Sequence, residues 1–177
     1  MSYAQVYMEK VYDLLKPGKT AFPLKVVEDE EGQVKILDLT VKSIVEAEDL
    51  LELINSGNKN RKVDSHKQNS ESSRSHSILT ITLKQKKNSK VKLELDGSTI
   101  RSELKLIDLA GSEKLGKTEC SGLNEAEGKK INLSLLSLGK IMNQLTQKET
   151  GYISFRESII TRLLSNIREA RTERAYA

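Results

Sequence analysis

Leu104-Lys105-Leu106-Ile107-Asp108-Leu109-Ala110-Gly111-Ser112-Glu113 opens as an alternating aliphatic strand and ends on a carboxylate. Ala110-Gly111 then lets the backbone turn tightly, and a glycine amide can approach an anion with no side chain in the way. A hydrophobic strand that ends on Asp is a common way to set a carboxylate beside Mg²⁺ in nucleotide chemistry. A plain strand and turn would read the same way, so this stretch fixes a strand first and a chemistry second.

Two neighbouring stretches bear on the choice. Asn69-Ser70-Glu71-Ser72-Ser73-Arg74-Ser75-His76 is a hydroxyl-rich loop that leads into the strand Ser77 to Leu83. Hydroxyls can ligate Mg²⁺ and bond phosphate oxygens, and Arg74 can neutralise a phosphate or pair with a carboxylate. By composition alone a generic Ser-rich loop explains it as well. Gly111 to Thr118 fits G-x-x-x-x-G-K-[ST] after a strand, as a phosphate-binding loop should. Its sequel is unfavourable, because Glu119-Cys120-Ser121-Gly122 follows and the strong helical period begins only near Ile131.

Composition bounds the remaining possibilities. At 177 residues the chain is one domain or a piece of one. It is 37% hydrophobic with no Trp and two Phe, so any core is aliphatic. No apolar run approaches the ~20 residues of a membrane span, and no basic-then-apolar leader is visible at the N-terminus. The lone Cys120 excludes an internal disulfide framework and a cysteine zinc site, and suggests a reducing compartment. The net charge is +4, with an acidic turn at Glu28 to Glu31 and a basic run at Lys84, Lys86, Lys87, Lys90 and Lys92. That run could meet an anionic partner, but it reads more simply as a solvated loop. No aromatic residue interleaves with it, which argues against nucleic-acid binding.

Periodicity supplies the elements. Ser2 to Tyr7, Leu24 to Val27 and Val34 to Leu37 read as strands. Ser43 with Glu46 forms a capping box that opens a helix to about Ile54, with Gly57 as its stop. Leu79 to Leu83, Val91 to Leu95 and Leu104 to Leu109 predict three strands in an antiparallel meander. Ile131, Leu135, Leu138, Met142 and Leu145 recur on one face of a deeply packed helix. Ile160, Leu163, Leu164 and Ile167 mark a shorter one. The class is α/β or α+β.

Together these stretches resemble the kinesin motor domain. Asn69 to His76 fits the switch I pattern N-x-x-S-S-R-S-H, and Asp108 to Glu113 is the switch II pattern D-L-A-G-S-E. Gly57 to Arg61 is similar to G-x-x-N-R, and Ser2 to Leu15 is similar to the segment S-Y-x-E-I-Y-x-E-x-x-x-D-L-L. Ile131 to Gly139 is similar to I-N-K-S-L-x-x-L-G, and Ser154 to Leu164 to P-Y-R-D-S-K-L-T-R-L-L. Leu133 and Ile159 stand where the family has lysines, and Glu157 where it has Asp.

The resemblance implies an α/β fold, a partial kinesin-like P-loop NTPase with a central mixed sheet and flanking helices, truncated at both ends. It covers residues 1–164 as the central to C-terminal part of a motor domain, with 165–177 as a diverged helical tail. It implies ATP hydrolysis coupled to movement, with ATP and Mg²⁺ as cofactors. Ser72, Ser73, Arg74 and Glu113 would be catalytic; Asn69, Asp108 and Gly111 would bind nucleotide. Ser73 and, through water, Asp108 would hold Mg²⁺. Arg74 would pair with Glu113 when the switches close. Lys129, Lys130, Arg156 and Arg162 would meet the microtubule, the one expected partner; neither nucleic acid nor membrane is expected. The implied location is cytoplasmic, on the cytoskeleton.

In this family the phosphate-cradling loop lies upstream of the strand that Ser2 to Tyr7 resembles, and Gly111 to Thr118 falls within switch II and its following loop. The expectation is therefore a motor fragment that is inactive by itself. A non-catalytic microtubule-binding module, and an independent NTPase using Gly111 to Thr118, are the alternatives.

Overall fold

The computed structural model describes residues 1–16, 22–63, 74–86, 99–111, 122–146 and 153–166. In chain order the elements are β1 (Ser2–Tyr7), β2 (Lys10–Asp13), β3 (Val26–Glu28), β4 (Val34–Ile36), α1 (Ala47–Val63), β5 (His76–Lys86), β6 (Thr99–Asp108), α2 (Gly122–Thr146) and α3 (Ile159–Leu164). The main sheet has the order β2-β1-β5-β6, and β3 and β4 form a separate pair. The fold is α/β, with helices flanking the sheet. Where a mixed sheet was expected, every ladder among the described strands is antiparallel.

β1 is the centre of the core. Its alternating side chains enter two clusters on opposite faces of the sheet. Ala4 and Val6 join Ile78 of β5 and Ile160 and Leu163 of α3. Tyr3 joins Leu14, Leu15 and Leu79, against Leu50, Leu53 and Ile54 of α1. The β1–β2 turn is a two-residue loop with Met8 and Glu9 both left-handed, at φ 49° and 58°. A hairpin of this kind favours Gly or Asn there. Here the Glu9 carboxylate accepts the Ile159 N–H at 2.6 Å, tying the turn to the start of α3.

Four sequence expectations change. The helix does not stop at Gly57 but runs through it to Val63. A Cβ on Gly57 would lie 2.4 Å from the Tyr3 ring, so the glycine permits close packing and does not end the helix. Nor do Ser43 and Glu46 form its cap. The Asp49 carboxylate instead accepts the N–H groups of Val45 and Glu46 at 2.9 and 3.1 Å, and these donors push its pKa down.

The third change is the meander. β5 pairs directly with β6, from Ser77 opposite Asp108 to Lys86 opposite Thr99, so no strand sits between them. The segment Val91 to Leu95 lies outside the described residues.

The fourth is the packing of α2. Its buried line is Ile131, Ser134, Ser137 and Ile141. Leu136, Met142 and Leu145 of the expected aliphatic stripe are exposed, and Leu135 and Leu138 are half-buried. The inward serines spend their hydroxyls on the helix itself: Ser134 donates to the Ile131 carbonyl at 2.7 Å and Ser137 to that of Leu133 at 2.8 Å. Small, internally satisfied side chains let α2 approach its neighbours closely.

α3 carries a capping box. The Ser158 hydroxyl accepts the Thr161 N–H at 3.3 Å while the Thr161 hydroxyl accepts the Ser158 N–H at 3.1 Å. Just past α3, the Asn166 amide accepts the Val34 N–H and donates to the Val34 carbonyl, both at 2.9 Å, extending the β4 edge as a strand would.

Candidate functional site

The chemistry gathers where β6 ends and β5 begins. The antiparallel register sets Ser77 opposite Asp108, so the loop residues before His76 and those after Asp108 emerge at the same end of the sheet. Asp108 itself is open, its side chain 68% exposed.

Arg61, in the final stretch of α1, lies beneath this end and is 9% exposed. Its Nη1 donates to Asp108 Oδ2 at 2.9 Å and to Ser77 Oγ at 3.3 Å. Its Nη2 donates to the Ser75 carbonyl at 3.0 Å. One buried cation thus joins a helix, the start of β5 and the end of β6. A buried guanidinium needs such partners, because removing one would leave a desolvated charge uncompensated.

His76 makes a second junction. It is buried, and its Nδ1 accepts the Ala110 N–H at 3.0 Å. An imidazole that accepts at Nδ1 carries its proton on Nε2. Nε2 lies 2.8 Å from Ser134 Oγ, and that hydroxyl is the donor to the Ile131 carbonyl. The direction of every proton in the chain is therefore fixed: Ala110 N–H to His76, His76 Nε2–H to Ser134, Ser134 O–H to Ile131. Burial, and then the nearby Arg61 charge, push the His76 pKa down, with Asp108 opposing them in part. Neutral imidazole is the form this network requires.

An open cavity of about 310 Å³ adjoins Asp108, with Tyr3, Ile54, Leu79 and Leu106 among its walls. Its floor is apolar and its polar groups, Ser77 and Asp108, lie at the sheet end.

The structure places Asp108 and Gly111 together at this end, and Arg74, half-buried, stands one residue before Ser75. Asn69, Ser72, Ser73 and Glu113 lie outside the described residues, as does Gly111 to Thr118 beyond its first residue. The four basic residues expected to meet a partner are on other elements. Lys129 and Lys130 are exposed on α2, and Arg162 is half-buried in α3. Arg156 is exposed and pairs with Glu28, 3.1 Å from each carboxylate oxygen. Glu157, just before α3, ties that end to α2 by accepting from Lys140 Nζ at 3.1 Å.

Arg61, His76 and Ser134, given no role by their motifs, are the buried supports of this sheet end. Arg61 and His76 each lie in a run of polar residues and Ser134 lies within an aliphatic period, so spacing alone does not single them out.

The donor set suits a hard cation only in part. Among the described residues no three His, Cys, Asp or Glu side chains converge on one point. Asp108 offers one carboxylate, and Mg²⁺ commonly takes one or two carboxylates, with waters and substrate phosphates completing its shell. A magnesium ion that arrives with a phosphate fits this site; one held by protein alone does not.

A sheet flanked by helices, with a carboxylate and a buried arginine paired at one sheet end, defines an α/β domain. The chain belongs to the kinesin motor-domain family, whose family model matches residues 1–173. It is similar to the human chromosome-associated kinesin KIF4A, 40% identical over 167 residues, which are 94% of this chain and 13% of that protein. It is also similar to kinesin-related protein 5 of Dictyostelium discoideum, 42% identical over 165 residues, 93% of this chain and 16% of that one. Among solved structures, a fast kinesin matches with a TM-score of 0.76 at 39% identity, over 92% of this chain and 44% of that chain. A KIF14 dimer bound to a microtubule with AMP-PNP matches with a TM-score of 0.78 at 33% identity, over 93% and 47%. The chain thus spans less than half of these solved motor chains.

Proposed function

We infer that this chain is the switch-bearing and microtubule-facing part of an ATP-driven microtubule motor. The observation that carries the reading is the pairing of Asp108 with the buried Arg61 where β6 ends beside the start of β5. Phosphoryl transfer asks a protein for positioning and charge stabilisation more than for covalent chemistry, and this junction offers both. Bound Mg·ATP supplies the phosphoryl group and the metal charge.

In this reading Ser72 and Ser73 would serve the metal, the γ-phosphate and the attacking water. Asp108 would hold Mg²⁺ through water, the Gly111 amide would sense the γ-phosphate, and Asn69 would help bind the nucleotide. Arg74 and Glu113 pair when the two switches close. Lys129, Lys130, Arg156 and Arg162 meet tubulin, placing the protein on the cytoskeleton in the cytoplasm. Gly111 to Thr118 serves as switch and loop, so turnover requires a phosphate cradle from outside these residues.

Nucleotide binding separates the readings. The isolated chain and Lys117→Ala are titrated with Mg·ATP by calorimetry. The proposal expects no binding, or weak binding that Lys117→Ala leaves unchanged. Tight binding lost in Lys117→Ala would establish Gly111 to Thr118 as a phosphate-binding loop and overturn it.

A further inference from the structure

We propose that His76 is a positioning residue that couples the strand end at Ala110-Gly111 to helix α2. This rests on the switch reading of Gly111 and the microtubule reading of α2 given above. The geometry is a continuous hydrogen-bonded path across three elements. β6 leads into Ala110, whose N–H donates to His76 Nδ1 at 3.0 Å; His76 opens β5; and its Nε2 reaches Ser134 Oγ on α2 at 2.8 Å.

Three features make this path a linkage and not merely a packed contact. His76, Ser134 and Ala110 are 3%, 2% and 5% exposed, so water cannot readily replace either bond if it breaks. An unpaired polar group in such a place loses its full solvation. The proton order is determined, so neither bond can be re-formed by reversing donor and acceptor unless the imidazole changes tautomer. And the Ser134 hydroxyl, as acceptor from His76 and donor to Ile131, transfers a displacement of the ring to the backbone of α2 one turn earlier.

A shift of Ala110-Gly111 must therefore either move α2 or break a buried bond. The same holds in reverse, because coupling between two sites is reciprocal. The alternative, that His76 only fills space, predicts no communication between Ser134 and Ala110.

The test uses the whole chain and reads the linkage first without any partner. The chain has two histidines, His66 and His76, so ¹⁵N NMR with a His76→Gln control assigns the ring. The expected signature is a neutral Nε2–H imidazole at neutral pH; an Nδ1–H tautomer or an imidazolium would overturn the proposal. Hydrogen exchange then follows the Ala110 amide. Ser134→Ala, on a different element, should speed its exchange roughly fivefold or more. His76→Asn, whose amide oxygen can stand in for Nδ1, should preserve more of the protection than His76→Gln, which can reach only Ser134. Equal exchange in wild type and Ser134→Ala would overturn the linkage.

Adding microtubules completes the test. The proposal expects bound wild-type chain to change exchange at Ala110-Gly111, and Ser134→Ala to pellet equally but show no such change. Pelleting with exchange altered alike in both, or in neither, would overturn the coupling. Failure of the wild type to pellet would count against the microtubule reading, while the partner-free arms still decide the linkage.

Discussion

β1 and β6 lie in one sheet, separated by β5, yet they are clad in opposite ways. β1 is covered on both faces, by α1 over Tyr3 and by α3 over Ala4 and Val6. β6 is an edge strand among the described residues, as β2 is on the other side. On the α1 side Leu104 and Leu106 remain 56% and 51% exposed, although their partners Ile81 and Leu79 pack against the core. α1 covers β1 and β5 and reaches β6 at its end, where Arg61 meets Asp108. The stability of this chain is thus concentrated at β1, while the residues that announce its chemistry follow its barest strand. A motif and a core need not coincide, and here they sit on different strands.

Aliphatic deletions give the sharpest contrast. Ile160→Ala, at a fully buried position under β1, should cost about 2–5 kcal/mol. Leu106→Ala, on the open face of β6, should stay within roughly 0.5 kcal/mol. Urea denaturation of both variants measures the difference, and equal losses would break the comparison.

Two helix glycines make a second contrast. Gly57→Ala places a methyl group against the Tyr3 ring and should cost about 1–3 kcal/mol by overpacking. Gly139→Ala meets nothing within 4 Å and should gain up to about 1 kcal/mol from helix propensity. Opposite signs in thermal melts are the expected result.

The bare strand should also govern association. An exposed edge with apolar side chains invites pairing with another chain. Leu104→Thr with Leu106→Thr should lower self-association in sedimentation velocity, with little change in unfolding midpoint. A wild-type chain that stays monomeric at high concentration would refute this.

The His76 ring gives a pH dependence. Its folded pKa lies below the ordinary 6.5 because burial opposes the charge. The unfolded chain therefore takes up a proton first, and stability falls as the pH drops below 6.5 toward the folded value, then levels off. His76→Gln should flatten that part of the profile. The smallest effect belongs to the surface pair Arg156–Glu28, both partners exposed by more than a third. Arg156→Ala should change stability by no more than about 1 kcal/mol.

The strands were legible because β1, β5 and β6 alternate apolar and polar residues over a two-residue period. Their pairing was not: three aliphatic runs in sequence suggested a meander, and nothing in their spacing said that the first would pair with the third. Gly57 read as a helix stop because glycine often is one; its role as a gap for the Tyr3 ring depends on a strand more than fifty residues earlier. The buried side of α2 was hidden for a different reason. A hydrophobic period cannot register Ser134 and Ser137, which enter the interior only because each satisfies its own hydroxyl. Asp108 and Gly111 stood out at the end of a strand, but Arg61 did not, since its carboxylate partner lies 47 positions away.

Microtubule co-sedimentation tests the account most directly. At low ionic strength the wild-type chain should pellet with microtubules, and raised salt should release it as the basic contacts are screened. Combined replacement of Lys129, Lys130, Arg156 and Arg162 by Ala should abolish the low-salt pelleting while leaving the fold intact by circular dichroism. Absence of pelleting by the folded wild-type chain at low salt would contradict the account.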